Sequence, residues 1–305
     1  MTPFQSKTPT ARAMIAAIFT VAVWAETFIS SKILLGNGLM PADIFFFRFL
    51  LAYCCIWFIS PKRLFAGSLK DEVKLALLGI TGGSLYFLTE NTALKLSTAT
   101  NVSILLQGTP IITAILVALF YRDERMNGRQ IAGSLIAFIG MVLVVLNGQF
   151  VLHLNPAGDA LALCASLTWG FYSLIMRSMR GKYDTTFITR KVFFYGLVTI
   201  LPYFVFVSPL KLDWQILSRP AVWGNLIYLG LVASMLCFVL WNWVLAKLGT
   251  VRATNLLYGQ CFFVMLIAHF VLGERITWMA VIGAVILILG MVTASWQQSR
   301  ADIRK

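Results

Sequence analysis

Ten long apolar runs constrain what this chain can fold into more than any other feature of its sequence. A helix that crosses the hydrocarbon core of a bilayer, about 30 Å thick, needs about 20 apolar residues at about 1.5 Å each. Hydrophobic residues make up 59% of the chain and charged residues only 12%, whereas a soluble domain carries about 25% charged residues. We therefore predict an all-α integral membrane protein with ten transmembrane helices, at residues 13–33, 43–60, 74–95, 98–121, 129–147, 158–178, 187–207, 222–246, 250–272 and 277–296.

Basic residues indicate how these helices are oriented. If the N-terminus is cytoplasmic, 19 of the 25 basic residues fall in cytoplasmic segments, Arg48 lies within the second span, and five fall outside. The five are Lys32, Lys95, Lys211, Arg219 and Arg275. Because cytoplasmic loops are enriched in Lys and Arg, this distribution predicts a multi-pass protein of the cell (inner) membrane with both termini in the cytoplasm.

The sequence also contains an internal repeat. Shifting the chain by 150 residues superposes Glu124-Arg125 on Glu274-Arg275 and 140–142 on 290–292, within 12 identities over the 43 positions from Thr100 to Val142. Two halves of five spans each are predicted, at 13–148 and 149–297, between cytoplasmic tails at 1–12 and 298–305. Because five is odd, the halves cross the membrane in opposite senses, the inverted-repeat arrangement of many secondary transporters.

Glycines accompany this repeat. Gly133 and Gly140 recur as Gly283 and Gly290, and with Ala137 they follow the small-residue spacing that lets two helices approach closely. We expect them to serve helix packing.

Short motifs follow one another in a characteristic order. The first half has Trp24-Ala25, Phe28, Lys32, Arg48-Phe49, Ala93-Leu94, Pro110 and Glu124, and the second has Trp169-Gly170-Phe171-Tyr172 and Gly273-Glu274-Arg275 followed by Gly283 and Gly290. In this order they resemble the drug/metabolite transporter superfamily, and within it the EamA-type ten-helix permeases. The resemblance implies efflux or exchange of small metabolites such as amino acids, or of cationic compounds, and it brings no catalytic motif.

One position departs from that family. The family often places a proline in the ninth span, as Pro110 is placed in the fourth, and this chain has Gln260 there. We expect the polar amide to replace a helix break at this point.

Three of the ionisable side chains within the predicted spans carry the functional hypothesis: Glu26, Arg48 and Glu90. Glu26 lies about 13 residues into the first span, where a carboxylate is costly unless it is paired or wetted. We expect it to face the substrate cavity, where Glu26 beside Trp24 and Phe28 would suit a cation or a proton. Arg48 and Glu90 lie near the outer surface at matching depth. A structural salt bridge of Arg48 with Glu90 or Glu26, and a coupling or gating role for the three residues, both stay open.

Polar and aromatic residues from both halves lie near the predicted midplane: Gln107, Pro110, Trp169, Tyr258 and Gln260. Together with Trp24 and Glu26 they form the predicted substrate-binding cavity, and Pro110 would free a backbone carbonyl for the substrate. The alternative for the two glutamines is structural, since amides also tie neighbouring membrane helices together.

The sequence offers no arrangement for hydrolysis, metal binding or a cofactor. His153 and His269 are the only histidines and lie in different halves, and the five cysteines fall in apolar runs without the spacing of a metal site. There is no GxxxxGK[ST] phosphate loop. We predict no enzymatic activity, no catalytic or metal-binding residue, no cofactor and no nucleic-acid partner.

These features together predict a secondary active transporter that alternates access around a midplane cavity. Its partners would be a small-molecule substrate and the lipid bilayer, with coupling to protons, direction of transport, and a monomeric or homodimeric state left open. The alternatives are a membrane-embedded enzyme acting on lipid and a transporter-like scaffold or receptor. The enzyme is disfavoured because it needs a nucleophile, base or metal clustered at one depth, whereas the carboxylates here are scattered.

Overall fold

The fold is a bundle of helices. The computed structural model describes residues 11–60, 63–97, 99–121, 128–146, 155–211, 213–272 and 276–296. Over these residues ten helical segments overlap the ten predicted spans, and a short helix, Trp214–Leu217, lies between the seventh and the eighth. The segments are α1 (Ala11–Gly36), α2 (Pro41–Ile56), α3 (Leu69–Gly79, Ile80–Ser84 and Leu85–Leu96), α4 (Ala99–Leu106 and Thr109–Phe120), α5 (Gly128–Leu146), α6 (Pro156–Met179), α7 (Thr185–Phe206), α8 (Pro220–Ile227, Tyr228–Leu236 and Cys237–Leu248), α9 (Thr250–Asn255, Leu256–Tyr258 and Gly259–Leu272) and α10 (Trp278–Trp296).

Length and composition make several of these segments able to cross a membrane. Among the described residues five helices meet both criteria: Ala11–Gly36, Val102–Phe120, Pro156–Met179, Thr185–Phe206 and Pro220–Leu248. Two shorter apolar helices, Gly128–Val144 and Trp278–Ala294, belong to α5 and α10. The all-α fold class predicted from the sequence is confirmed.

Irregular turns interrupt the helices at matching places in the two halves. The third and eighth segments each contain a π-helical stretch, at Ile80–Ser84 and Tyr228–Leu236. The fourth segment is interrupted after Leu106, and the ninth narrows to a 3₁₀ turn at Leu256–Tyr258. These positions are related by the offset of 150 residues found in the sequence, so the repeat extends to the irregular geometry.

The interruption in α9 corrects the expectation that Gln260 replaces a helix break. The break is present at Leu256–Tyr258, directly before Gln260, although this part of the chain has no proline. The preceding turn offers a physical reason. Thr254 Oγ1 donates to the carbonyls of Thr250 (3.0 Å) and Val251 (3.2 Å), and such back-bonding by Ser and Thr bends helices.

The glycine positions of the repeat bring α5 and α10 into backbone contact. A Cβ added at Gly140 would lie 2.3 Å from the amide nitrogen of Leu287, and one added at Gly290 would lie 2.3 Å from that of Ala137. A Cβ added at Gly133 would lie 2.5 Å from the amide nitrogen of Ala294, and one added at Gly283 would lie 2.7 Å from that of Val144. The close packing predicted from their spacing is confirmed.

The two halves interlock around an aromatic core. α2 packs on α7 and α8, α3 packs on α6 and α7, and α1 packs on α8 and α9. Phe49 contacts the rings of Phe87, Phe193 and Phe238, which come from three other segments. The contact between the halves is therefore extensive, and the site described next lies within it.

Some residues singled out in the sequence lie outside the described part of the chain. They are the two Glu-Arg pairs at 124–125 and 274–275, Gly273, His153, and most of the predicted tails, at 1–10 and 298–305.

Candidate functional site

A small cavity of about 50 Å³ lies between the two halves. This volume holds about three or four waters, so the cavity is narrow in this conformation. The lining residues come from α1, α2, α3, α4, α6, α8 and α9, and they are Trp24, Thr27, Phe28, Arg48, Tyr86, Phe87, Glu90, Leu106, Gln107, Thr109, Trp169, Phe238, Leu257 and Gln260.

Arg48 places a positive charge in this cavity. Its side chain is 2% exposed, its Nε donates to Ser234 Oγ at 2.9 Å, and its guanidinium lies 4.2 Å from the centre of the Phe87 ring. Ser234 belongs to the π-helical stretch of α8, so the irregular turn of the second half positions the arginine of the first. The protein thus contacts Nε and one face of the guanidinium, and no described residue accepts a hydrogen bond from the two terminal nitrogens, which are the groups that bind a carboxylate.

Glu90 places a negative charge in the same cavity. It is 7% exposed, and its Oε1 accepts a hydrogen bond from Tyr86 Oη at 3.1 Å. Tyr86 lies one helical turn before Glu90 on α3, so both side chains face the same way. In the part of the chain that the structure describes, no ion pair joins Arg48 to Glu90 or to Glu26. The salt bridge that the sequence left open is therefore not formed in this conformation.

Aromatic rings form a large part of the cavity lining. Trp24 meets Trp169 edge to face with ring centres 5.5 Å apart, and its Nε1 donates to the Ala233 carbonyl at 2.9 Å. Trp169 also contacts Tyr86, with centres 4.9 Å apart. The buried Nε1 of Trp169 has no hydrogen-bond partner within the described residues, which leaves one donor for a bound molecule.

Two glutamines join the halves at the helix interruptions. Gln107 Nε2 donates to Gln260 Oε1 at 3.3 Å, and Gln260 Nε2 donates to the Trp24 carbonyl at 3.0 Å. Gln107 lies at the interruption of α4 and Gln260 directly follows that of α9. The bridge fits the structural interpretation of these amides, and both side chains also line the cavity.

Comparison with known proteins identifies the family. The model of the EamA-like transporter family matches residues 11–146 and 156–296, which together are most of the chain. The chain belongs to the EamA-like transporter family. Two EamA domains in one chain agree with the two halves seen in sequence and structure, and membership makes this a multi-pass membrane protein of the drug/metabolite transporter superfamily.

Relatives and a solved structure match almost the full length of this EamA protein. An uncharacterized transporter of Archaeoglobus fulgidus is 29% identical, covering 92% of this chain and 96% of its own. A probable amino-acid metabolite efflux pump of Escherichia coli K12 is 25% identical, with coverages of 91% and 92%. A crystal structure with a TM-score of 0.72 and 16% identity covers 95% of this chain and 99% of its own; at that identity it supports the fold alone.

Six of the nine site residues predicted for this EamA chain line the cavity between the two halves. They are Trp24, Arg48, Glu90, Gln107, Trp169 and Gln260. Glu26, Pro110 and Tyr258 do not line it. Pro110 is buried in the first turn of the helix after the α4 interruption, and Tyr258 is fully buried in the 3₁₀ turn of α9.

The position of Glu26 corrects the expectation that it faces the cavity. Its two carboxylate oxygens accept from Ser30 Oγ at 2.9 and 3.0 Å on the same helix. Glu26 is two residues from Trp24, which places it about 200° around an α-helix. Trp24 therefore points to the cavity and Glu26 points away from it.

Sequence reasoning missed several cavity residues of this EamA protein. Thr27 lies three residues after Trp24, and Phe87 lies three residues before Glu90. Helical periodicity around the predicted residues could have found them. Phe238 had no such neighbour among the predictions, and only the packing of α8 places it here.

The described residues hold no group of three His, Cys, Asp or Glu side chains that could bind a metal ion. The side chains that line this EamA site provide one guanidinium, one carboxylate, two amides, two threonine hydroxyls, two leucines and aromatic rings.

Proposed function

We propose that this EamA-family protein is a secondary active transporter that exports small metabolites carrying both an ammonium and a carboxylate group, of which amino acids are the simplest. One observation carries the proposal: the buried side chains of Arg48 and Glu90 line one cavity between the halves without pairing with each other. Two opposite charges that remain unpaired in lipid are costly. A zwitterionic substrate satisfies both.

The surroundings of the two charges support this substrate class. A guanidinium binds a carboxylate through two parallel hydrogen bonds, and a carboxylate beside aromatic rings suits an ammonium group. The relative from Escherichia coli, named a probable amino-acid metabolite efflux pump, supports export of the same class. Trp24, Gln107, Trp169 and Gln260 complete the proposed substrate site, and Pro110 and Tyr258 act from its border.

Alternating access requires that one side of the cavity close while the other opens. At the end predicted to be cytoplasmic, the segment 63–72 of the first half binds 182–195 of the second. Glu72 pairs with Lys191 and accepts from Tyr195 Oη at 2.5 Å, and Asp71 pairs with Lys182 at 3.1 Å. We name this set of contacts the inner clamp. It supports a conformation closed on the cytoplasmic side, ready to open outward.

Glu26 remains our candidate for coupling to protons, with Arg48 and Glu90 as gating residues. Glu26 is partly buried on α1, the segment that also carries Trp24 and Thr27 of the cavity. Proton binding at Glu26 would therefore act on the site through α1. The same proposal includes the orientation with both termini in the cytoplasm, the domain bounds 13–148 and 149–297, the cell (inner) membrane, and the absence of enzymatic activity.

Counterflow in proteoliposomes tests this function. Vesicles loaded with an unlabelled amino acid are diluted into traces of the labelled compound, with and without a pH gradient, for the wild type and for Glu26→Gln, with Glu26→Asp as the control that keeps the carboxylate. We expect labelled substrate to accumulate, and the gradient to drive accumulation in the wild type and Glu26→Asp only. Coupling that survives in Glu26→Gln would remove the proton role. Absence of movement for every solute, with turnover of bilayer lipid, would replace the transporter by an enzyme.

A further inference from the structure

The two tryptophans that line the cavity occupy equivalent positions in the repeat but are held differently. Trp24 begins the pair Trp24-Ala25 of α1, and Trp169 begins the pair Trp169-Gly170 of α6. Trp24 Nε1 donates to the Ala233 carbonyl of α8 at 2.9 Å, whereas the buried Nε1 of Trp169 has no hydrogen-bond partner among the described residues. Because most buried polar groups of native proteins are paired, this difference between the halves needs a physical reason.

The acceptor of the Trp24 bond has a counterpart in the first half. Shifting 78–94 by 151 residues, one more than the offset of the spans that follow, places it on 229–245 with six identities over 17 positions. Unrelated segments of this length would share about one or two. The six are Leu78, Gly79, Leu85, Phe87, Asn91 and Leu94. In this alignment Gly82 falls on Ala233, and the π-helical stretch Ile80–Ser84 falls within Tyr228–Leu236.

Each tryptophan-bearing helix also packs on the equivalent stretch of the other half. α1 packs on the π-helical stretch of α8, and α6 packs on that of α3. Tyr172, one turn after Trp169, lies so close to α3 that a Cβ added at Gly82 would be 2.2 Å from its ring. At the next residue, Gly83, the backbone angles are non-helical (φ −124°, ψ −105°). Where the helical hydrogen-bond pattern is irregular, a backbone carbonyl can accept from a side chain of a neighbouring helix, as the carbonyl of Ala233 does.

We propose that the two indole N–H groups are alternating latches, of which one is closed in each state of the transport cycle. In the described conformation Trp24 holds α1 to the Ala233 carbonyl. In the opposite conformation Trp24 releases Ala233, and Trp169 Nε1 donates to the Gly82 carbonyl of α3. The inference rests on the proposed alternating access. Halves of opposite orientation are related by an axis in the membrane plane, so a state open to one side becomes a state open to the other when the halves exchange arrangements.

This exchange traps neither conformation, because each contains one latch. One indole N–H is paired and the other unpaired on both sides of the change, so the number of buried hydrogen bonds stays the same. α6 reaches the Gly82 carbonyl by shifting relative to α3, a movement that helices make at switching interfaces. In the described conformation the Trp169 N–H is left for a bound molecule, and in the opposite one α3 accepts its hydrogen bond.

Hydrogen exchange of the full chain in detergent, without substrate, tests the latches. The inner clamp is open in the opposite conformation, so amide exchange in 63–72 and 182–195 measures the population of that conformation. Trp24→Phe removes the latch of the described conformation, and we expect exchange in both segments to be about fivefold faster, the effect of one hydrogen bond. Trp169→Phe removes the latch of the opposite conformation, and exchange should be about fivefold slower. Trp223→Phe, at a 50% exposed position of α8, should leave both segments unchanged.

The opposite signs distinguish a latch from packing. Both substitutions remove part of a buried ring, so a purely structural role of the two tryptophans predicts faster exchange in both variants. Benzothienylalanine, in which sulfur replaces the indole N–H, keeps the size of the ring. Placed at position 24 or 169, it should give the same opposite shifts without a packing defect.

The outcomes separate the latches from the proposed transport. Shifts of the same sign at positions 24 and 169, or an unchanged exchange rate at either, would overturn the latches. Counterflow of an amino acid together with such a result would leave the transport function in place. Opposite shifts without counterflow of any solute would support the latches and count against the transport function.

Discussion

For two carboxylates of the first half, the direction of the side chain decides whether the residue lines the cavity. Glu26 lies deep in the first predicted span and Glu90 lies near the outer end of the third, and the rarity of charge in lipid marked both from the sequence. Glu90 lines the cavity opposite an unpaired arginine, whereas Glu26 bonds Ser30 on its own helix. The sequence predicts that such residues matter, but it does not predict which face of a span meets the partner half.

Glu90→Gln should abolish most substrate binding without unfolding the protein. The amide keeps the size of the side chain and its bond to Tyr86, but it loses the charge that would bind an ammonium. A hydrogen bond to a charged group contributes about 1.5–3 kcal/mol, so the apparent affinity for an amino acid should fall about 10- to 100-fold. Binding measured by calorimetry checks this. Glu90→Asp, which keeps the charge, should lose less, and equal affinity in Glu90→Gln and wild type would contradict the site.

Tyr258→Phe should stabilise the described conformation. Tyr258 is fully buried, and its hydroxyl has no hydrogen-bond partner in the described parts of the chain. Removing an unsatisfied buried hydroxyl recovers part of a cost of about 1–3 kcal/mol. We expect a higher unfolding temperature and, because the hydroxyl would be wetted only in another state, slower counterflow. A lower unfolding temperature would show that this hydroxyl is satisfied.

At the scale of helices, the sequence predicted the segments better than their interruptions. Apolar length predicted all ten segments, and Pro110 marked the break in α4. The matching break in α9 has no proline, so a rule based on proline missed it, and Thr254 provides the local cause instead. The π-helical stretches carry no strong sequence signal either. Gly82 allows close approach there, since a Cβ would lie 2.2 Å from the Tyr172 ring.

Gly140→Ala should weaken the contact of α5 with α10. The new methyl group would meet the Leu287 amide nitrogen and the Gly283 carbonyl oxygen, 2.3 and 2.7 Å away, and backbone atoms cannot move aside as a flexible side chain can. Overpacking of this kind costs about 1–3 kcal/mol. Thermal unfolding in detergent checks the loss. Gly224→Ala in α8 is the control, because nothing lies within 4 Å of its Cβ; equal destabilisation by both variants would exclude a specific contact.

At the scale of the whole molecule, the repeat predicted two similar halves. It did not predict which residues of one half contact the other, and only the structure shows them. The cavity needs Ser234 and Gln260 from the second half to hold Arg48 and Trp24 from the first. Such pairs are far apart in sequence and follow no local pattern, so hydropathy and repeat offsets cannot reveal them. The inner clamp was missed for the same reason.

Acid should loosen the inner clamp only below the ordinary pKa values of its two carboxylates. Asp71 and Glu72 precede the predicted third span. The bond from Lys182 holds the pKa of Asp71 below its ordinary value, and at Glu72 burial opposes ionisation but bonds from Lys191, Tyr195 and the Ala66 amide outweigh it and lower the pKa. A lowered folded pKa means that the stabilisation is complete above the unfolded value, 3.8 for Asp71 and 4.5 for Glu72, and is lost as pH falls through the folded value. From pH 7 to pH 5 the inner clamp should therefore stay closed.

Glu72→Gln should open the inner clamp at neutral pH, where acid cannot. It removes the partner of Lys191, which is only 6% exposed, and leaves that ammonium buried without its carboxylate. Because an unpaired buried charge is costly, 63–72 and 182–195 should separate, and their backbone amides should exchange hydrogen about fivefold faster or more. Lys70→Gln, an exposed change on the same helix, should leave exchange unchanged. Faster exchange confined to 63–72 would mean that the segment frays alone. Faster exchange on both sides would mean that these carboxylates hold the two halves together, as the proposed transport cycle requires.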